Sequence, residues 1–575
     1  MSAYLVLASI GALLGLLIHG RLSPAVLFSC WAVGYVILGV VDEQAMLGSF
    51  SNPALITLLV LMLVSLALER SPLLERVSDV LLRGREWRAS LRLMGLTAGL
   101  SAFLNNTAVV GSLLGVISRQ RHIPASRLLI PLSFASILGG ITTLVGTSTN
   151  LVVNSFVVDA GLPALGMFQF AGVGIPVALL CLLGLLFSRR WLPLNPLQDK
   201  DSSQAYFLEA RLVPGSPLVG ASIEQNRLRS LDGLFLLEIV RNDRLISPVS
   251  PEEVLEEDDI LVFTGEVEKV QALQQFSGLQ LFGNGADRLL ASNLVEVVVS
   301  NESELAHSTL QEVDFRTMFN AGVVGIRRGQ RRLTGQLGKI PLKVGDSLLL
   351  AVGPDFMSHR NLDRNFHLLS DSLQRPRLSA RQSLFAFSGF ALVILLSALG
   401  LVPLLNGLLM LLAALLLGRI LTLGELRRRF PFELMMIIGS ALTVAKALES
   451  SGAAALVADG MRALFDDFGV VGAFVGVYVI TLLLTETVTN NAAAALAFPI
   501  GLSTAQGFGV DPMPFIMAVA FGASACFMVP FGYQTHLMVY SPGRYRVVDY
   551  LKVGFPVSLI YSAGVLVLVP LVFPF

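Results

Sequence analysis

Long apolar runs alternate with short polar interruptions over most of the chain, and the lengths of the runs set the first expectation. A helix crosses the hydrocarbon core of a bilayer with about 20 mostly apolar residues. Runs of this kind lie near 3–18, 24–41, 53–69 and 169–187, and again near 383–401, 404–418, 432–449 and 554–572. Two further apolar stretches are split by amide and hydroxyl side chains. Asn105-Asn106-Thr107 separates 89–105 from 108–117, and Thr489-Asn490-Asn491 separates 470–486 from 492–500. Each piece is too short or too interrupted to span alone, so each pair is expected to form a re-entrant hairpin. Amphipathic stretches at 71–83 and 453–465 precede the two hairpins. Two more spans, 129–158 and 513–541, are broken at Gly146-Thr147-Ser148-Thr149-Asn150 and around 530–536.

From about 191 to 382 charged residues become frequent, and short runs such as Ile260-Leu261-Val262-Phe263 read as strands of an α/β insert. The insert repeats itself. Ser216 matches Ser303, Arg229 matches Arg316, Ile239 matches Ile326, Arg241 matches Arg328 and Asp259 matches Asp346, always 87 positions apart. The apolar halves repeat as well: Ala67-Leu68-Glu69 recurs as Ala447-Leu448-Glu449, Asn106 as Asn490, and Thr149 as Thr535, at offsets drifting from 380 to 386. The expected domains are membrane repeat 1 (1–190), soluble modules at 191–285 and 286–375, and membrane repeat 2 (376–575). Arginine-rich connections mark the cytoplasmic side. They flank the first polar break, whereas Asp459, Asp466, Asp467 and Asp511 flank the second. The second half is therefore expected to be inverted, with five spans and one hairpin per half, both termini outside and the insert in the cytoplasm.

Composition agrees with a polytopic α-helical membrane protein: 54% hydrophobic and 14% charged residues, with a mean hydropathy of +0.71, exceed the ordinary soluble range of roughly 45 to 50% apolar. A formal net charge of zero offers nothing to a nucleic-acid backbone. Cys30, Cys181 and Cys526 fall in apolar runs without metal-site or disulfide spacing and read as core fillers. No paired nucleophile and base, HExxH or phosphate loop is present, so an enzyme is not expected.

Non-helical backbone at membrane depth survives only where protein or a water-filled cavity satisfies its freed N–H and C=O groups. Transporters meet this demand with inverted repeats whose broken helices meet at the midplane, helix N-termini facing an anion and carbonyls taking a cation. The breaks carry neutral donors and acceptors and no Arg or Lys. A fixed buried cation costs several kcal/mol when its partner leaves, so neutral groups with a coupling cation suit a site that must fill and empty.

The two triplets resemble the paired hairpin-tip motifs of the divalent anion/sodium symporter family, and 146–150 and 532–536 resemble its unwound loops. The resemblance covers both apolar halves and implies a dimeric elevator-type transporter with sodium ions as the coupling ions and no other cofactor. Carried over residue by residue, the substrate would be held by Asn105, Asn106, Thr107, Ser148, Thr149, Thr489, Asn490, Asn491, Gln534, Thr535 and His536. Asn106, Thr147 and Asn150 would form sodium site 1, and Asn490, Thr535 and His536 sodium site 2. Asn105-to-Thr107 would join 148–150 in one half-site, and 489–491 would join 534–536 in the other. The insert resembles a tandem of the C-terminal ligand-binding domains of potassium-conductance regulators (TrkA-C-like), as in sulfate and related sulfur-oxyanion carriers, and implies a small cytoplasmic ligand or a dimer contact. The alternatives are a C4-dicarboxylate/sodium symporter and a cation/proton antiporter of related architecture. A bacterial inner membrane is the expected location, with lipid, the anion and sodium as partners. Glu486 is expected to be satisfied by nearby hairpin donors or to carry a cation or proton, Lys446 to snorkel, Glu69 and Glu449 to cap or pair at the surface, and His536 either to give a pH-sensitive site or to stay a neutral histidine that hydrogen-bonds the loop.

Overall fold

A computed structural model describes residues 2–575 except 20–21, 71–85, 120–122, 195–205, 229–230, 232–233, 243, 247–248, 266–272, 274–275, 282–293, 301–302, 307, 320, 330, 334–336, 353–355, 357–361, 369–377 and 531. The amphipathic stretch at 71–83 and the repeat partner Arg229 lie outside the described residues.

The chain opens with α1 (Ala3–His19), α2 (Pro24–Ile37), α3 (Glu43–Phe50) and α4 (Pro53–Glu69). Next come α5 (Glu86–Ser101), α6 (Asn106–Arg119), α7 (Leu129–Gly140), α8 (Ser148–Asp159) and α9 (Ala171–Ser188). After a β-rich segment the second set runs α12 (Ala380–Ala398), α13 (Leu404–Leu417), α14 (Leu423–Arg428), α15 (Phe432–Ser450) and α16 (Ala453–Phe465). It ends with α17 (Gly469–Thr487), α18 (Asn490–Phe508), α19 (Met513–Ala523), α20 (Gln534–Tyr540) and α21 (Val547–Val572). Among the described residues, five helical stretches are long and apolar enough to cross a membrane: Glu43–Glu69, Ala171–Ser188, Ala380–Ala398, Gly469–Thr487 and Val547–Val572. Leu179, Leu183 and Phe187 on α9 and Leu392 and Leu395 on α12 are exposed, as helix faces turned to lipid should be. The molecule is a multi-pass membrane protein.

Several elements depart from the run lengths. Short helices α3 and α14 begin where the apolar pattern gives no signal, because Asp42 accepts from Gln44 N and the Thr422/Glu425 capping box satisfies the first turn. The second hairpin's helices are longer than their apolar pieces, and the last helix starts at Val547. Both breaks are displaced. The first is unwound from 141 to 147 and the second at 524–530 and 532–533, so Ser148 to Asn150 and Gln534 to His536 form first helical turns, not loops. Cys181 and Cys526 are buried as expected, but Cys30 is exposed.

Ion pairs clamp the two halves together at both ends of α4 and α15. At one end Arg70 Nη1 meets Glu425 at 2.7 Å and Arg429 meets Glu69 at 3.7 Å. At the other Lys446 Nζ pairs with Asp159 at 3.1 Å and donates to Ala45 O and Ser49 Oγ. Lys446 therefore joins α15 to α3 and α8 and does not snorkel, while Glu69 pairs as expected and Glu449 is exposed at its helix end. Glycines set the approach of helices to the breaks. A Cβ on Gly174 of α9 would stand 2.6 Å from Ile141 O, and one on Gly554 of α21 would meet Phe527 O. Each helix thereby packs on the backbone where a break begins.

Between α9 and α12 lie β1 (Tyr206–Leu212), β2 (Leu234–Arg241), β3 (Arg244–Ile246), β4 (Ile260–Gly265) and β5 (Leu279–Leu281). A second series follows: β6 (Leu294–Val299), α10 (Phe315–Phe319), β7 (Ala321–Arg328), β8 (Arg331–Arg332), β9 (Asp346–Val352), α11 (Leu362–Asn365) and β10 (Phe366–Leu368). The sheets have the orders β3-β2-β4-β1-β5 and β8-β7-β9-β6-β10, the same path through corresponding strands. Arg241 Nε and Nη2 grip buried Asp259 at 2.8 Å each, and Arg328 grips buried Asp346 at 2.7 and 2.8 Å. These bidentate forks explain why Arg and Asp recur at one spacing: each pins a strand end to the turn leading into the central strand.

The sheets touch through β1 and β7, and Leu349 of the second completes the first sheet's apolar core. Glu209 is buried at this junction, its Oε2 accepting from Leu337 N at 3.5 Å and its Oε1 without a hydrogen-bond partner. Burial pushes its carboxyl up to about 7 from an ordinary 4.5, against the opposing effect of the Leu337 bond. A raised carboxyl stabilises the folded state in its protonated form, so that contribution is full below about 4.5 and is lost as pH rises through about 7. Hydrogen exchange of β1 in the full-length protein should therefore quicken between pH 5 and 8 more than intrinsic chemistry dictates. Glu209→Gln should remove this excess; an excess that persists in the variant would refute the assignment.

The second module also reaches the membrane helices. Ser541 Oγ donates to Gly345 O at 2.6 Å, and a Cβ on Gly329 would stand 3.3 Å from Tyr540 Cε1. The insert thus rests on the corner between α20 and α21, directly behind the second break.

Candidate functional site

Four helices start where the polar breaks meet. Asn105 Oδ1 accepts from Thr107 N at the start of α6, and Thr489 Oγ1 accepts from Ala492 N at the start of α18. Thr147 and Tyr533 precede α8 and α20 in extended conformation and make no side-chain cap bond. The first-turn N–H groups of a helix have no intrahelical acceptor and lie at the positive end of its dipole. Gathering such starts without a basic residue makes a neutral cradle that favours negative charge.

The side-chain pairing runs across the halves. α20 packs on α6 and α7, and α8 packs on α18 and α19. Thr107 Oγ1 accordingly donates to Gln534 Oε1 at 3.1 Å, and Ser148 Oγ donates to Asn491 Oδ1 at 3.3 Å. Beside the bonds that tie each hairpin to its own break, Asn106 to Gly146 O and Glu486 to 527–529, these side-chain pairs join hairpin one to the second break and hairpin two to the first. Packing decides this, because each break's resumed helix lies against the opposite hairpin.

Asn106 is buried at the centre of the first tip. With its carboxamide oxygen accepting from Tyr533 Oη at 2.6 Å, the two hydrogens of its nitrogen are shared among Ser101 Oγ at 2.5 Å, Ser136 O at 3.0 Å and Gly146 O at 3.2 Å. A Cβ on Gly140 would stand 2.8 Å from this carboxamide and one on Gly146 would stand 2.5 Å from Gly140 O, so both positions need glycine to let the tip approach. Asn490, buried in the second tip, has its Oδ1 2.9 Å from Thr485 Oγ1. A hydroxyl five residues before each Asn fixes the amide in both hairpins.

Much of the remaining polarity serves the unwound backbone. In the first break Asn150 Nδ2 donates to Thr143 O at 2.8 Å, Gly146 N donates to Thr143 Oγ1 at 3.1 Å, and Thr143 Oγ1 donates to Ala102 O. In the second, Glu486 Oε1 accepts from Phe527 N at 3.0 Å and Met528 N at 3.1 Å, and Oε2 accepts from Val529 N at 3.2 Å. The donors that satisfy Glu486 come from the broken helix, not from its own hairpin. His536 is buried with Nδ1 2.7 Å from Ser133 Oγ and Nε2 2.9 Å from Cys526 O, under the rings of Phe134, Tyr533 and Tyr550. Both ring nitrogens are engaged within the protein, which leaves none for the cation expected at site 2. Thr535 Oγ1, 2.8 Å from Ser133 Oγ, belongs to the same bonded group.

A family profile described as citrate transporter matches residues 14–522. The chain belongs to this citrate transporter family. An uncharacterized transporter of Synechocystis is 32% identical, covering 94% of this chain and 92% of that protein. A putative sulfur deprivation response regulator of Chlamydomonas reinhardtii is 30% identical, covering 91% of this chain and 94% of that protein. Sodium/sulfate cotransporter 1 of the same alga is 29% identical over 64% of this chain and 44% of its own length. The family and these relatives mark a transporter, not an enzyme.

In this citrate-transporter-family chain the bonds form three groups: Asn105 and Thr107 with Gln534, Ser148 with Asn491, and Asn106 with Thr147 through Tyr533. Thr489 caps α18, Thr149 is buried in the first turn of α8, and Thr535 and His536 turn toward Ser133. Sequence reasoning left out Tyr533, Ser101, Thr485 and Ser133. Ser101 and Thr485 carry a legible signal, since they stand five residues before the two asparagines in otherwise apolar helices. Ser133 carries none, because its role depends on α20 packing on α7.

Proposed function

We propose that this protein is a sodium-coupled symporter of a small divalent oxyanion, sulfate or a related sulfur oxyanion. The observation that carries the reading is the cradle of four helix starts, lined by neutral amides and hydroxyls and free of Lys and Arg from 102 to 107, 141 to 150, 487 to 491 and 524 to 536. Doubly charged tetrahedral anions suit converging N–H dipoles, and a coupling cation supplies the charge that the side chains lack. The sodium/sulfate cotransporter relatives support the same substrate and ion. In this reading α5–α6 and α17–α18 are re-entrant hairpins of two inverted repeats in the cell membrane. Asn106, Thr147 and Asn150 hold one sodium ion, and oxygen atoms of Asn490 and the second break hold another. The hairpins and breaks move together as the elevator of a homodimer, while the cytoplasmic insert, a TrkA-C-like tandem, acts on α20 through its seat at Ser541.

The test is uptake of radiolabelled sulfate and succinate into proteoliposomes with and without a sodium gradient. Sulfate uptake driven by sodium is the expected result. The citrate-transporter name of the family profile favours carboxylates as the second reading. Uptake of succinate but not sulfate establishes that reading instead, and uptake driven only by a proton gradient rejects sodium as the coupling ion.

A further inference from the structure

A phenol joins the two halves at the site, beside the Thr107–Gln534 and Ser148–Asn491 pairs. Tyr533 belongs to the second break, yet its hydroxyl lies 2.6 Å from the Asn106 carboxamide oxygen and 3.4 Å from Thr147 Oγ1, both in the first half. Both hydrogens of the Asn106 nitrogen are already taken up by Ser101 Oγ, Ser136 O and Gly146 O. Its oxygen is therefore the atom left to face a ligand, and the Tyr533 proton takes it. The ring is steadied beside His536, with centroids 5.9 Å apart, and His536 is held by Ser133 and Cys526 O. The phenol thus has a fixed base and a hydroxyl aimed across the halves.

Asn106 and Thr147 are also two of the three side chains assigned to the first sodium site, and the role of Tyr533 rests on that assignment. A hard cation binds through oxygen lone pairs, and an amide oxygen accepting a phenolic proton offers it less. We propose that Tyr533 is a positioning residue that couples cation binding in the first half to the second break. Sodium and the phenolic proton compete for Asn106 Oδ1, while Thr147 Oγ1, 3.4 Å from the phenol oxygen, donates to it and keeps its own lone pairs. Sodium binding then releases the second break from the first hairpin tip, and the bonded tip weakens sodium binding by the same free energy.

Tyr533→Phe keeps the ring and removes the competitor. The half-saturating sodium concentration for sulfate uptake should fall roughly three- to tenfold, the range set by the net worth of one hydrogen bond, while the sulfate KM at saturating sodium stays within about twofold. The sodium-dependent rise in thermal unfolding temperature of the purified protein reads the same affinity without transport, and in the variant it should begin at correspondingly lower sodium. An unchanged or higher half-saturating sodium concentration, or a parallel loss of sodium and sulfate affinity, overturns the proposal in favour of a structural tyrosine. Wild-type uptake indifferent to sodium removes the coupling assignment itself, and the competition at Asn106 with it.

Discussion

Replacing Asn106 or Asn490 by alanine is expected to lower sulfate uptake at least about a hundredfold without loss of expression. The Asn106 carboxamide touches Ser101, Ser136, Gly146 and Tyr533, one group from each element that meets at the first tip except α6 itself. Its loss leaves buried partners unpaired at about 1 to 3 kcal/mol each, and a disturbance of about 2.7 kcal/mol at the bound state suffices for a hundredfold. Asn490 is held by Thr485, whose hydroxyl also lies 2.6 Å from Ala523 O at the end of α19, so the second tip is tied to the second break as well. Uptake in proteoliposomes containing equal amounts of monodisperse protein is the measurement. Near-normal rates in either variant would show that the tips do not form the site.

Glu486 should matter most for stability. Its carboxylate accepts three successive backbone N–H groups of an unwound segment between apolar helices, groups that lipid cannot satisfy. Glu486→Ala orphans all three, a cost of several kcal/mol at about 1 to 3 each, and the purified variant should unfold well below the wild type. Glu486→Gln retains one acceptor oxygen but turns an amide N–H₂ toward N–H donors, so an intermediate unfolding temperature is expected. A carboxylate that served chiefly as a proton carrier predicts a different pattern: Gln at full stability with the pH dependence of uptake abolished. Thermal unfolding of the three proteins separates the two roles.

The hairpin tips were legible because amides in the middle of apolar runs conflict with the surrounding solvent, and that conflict is local in sequence. The same holds for the Arg and Asp spacing in the insert, since each fork joins positions 18 residues apart in one sheet. The exact breaks were less legible. Glycine and hydroxyl residues marked a disruption near 146–150, but the chain is already unwound from 141, where Gly174 of α9 packs against Ile141 O. His536 shows the same limit. By position it stands in the slot of Asn150, which left a titrating ligand and a histidine bonded within the protein equally open; its bonds to Ser133 and Cys526 O, which only packing supplies, match the second.

Sequence alone determined the class of the molecule, the polar interruptions at 105–107 and 489–491 and the presence of a doubled α/β segment, because hydrophobic run length, buried polarity and fixed residue spacing are properties of the chain itself. Tertiary structure alone decided which break faces which hairpin, that Lys446 clamps three helices, that Tyr533 reaches Asn106, and that the second module rests on Ser541 behind the site. Those contacts join residues tens to hundreds of positions apart, and their partners are selected by how whole helices and sheets pack, which no local pattern encodes.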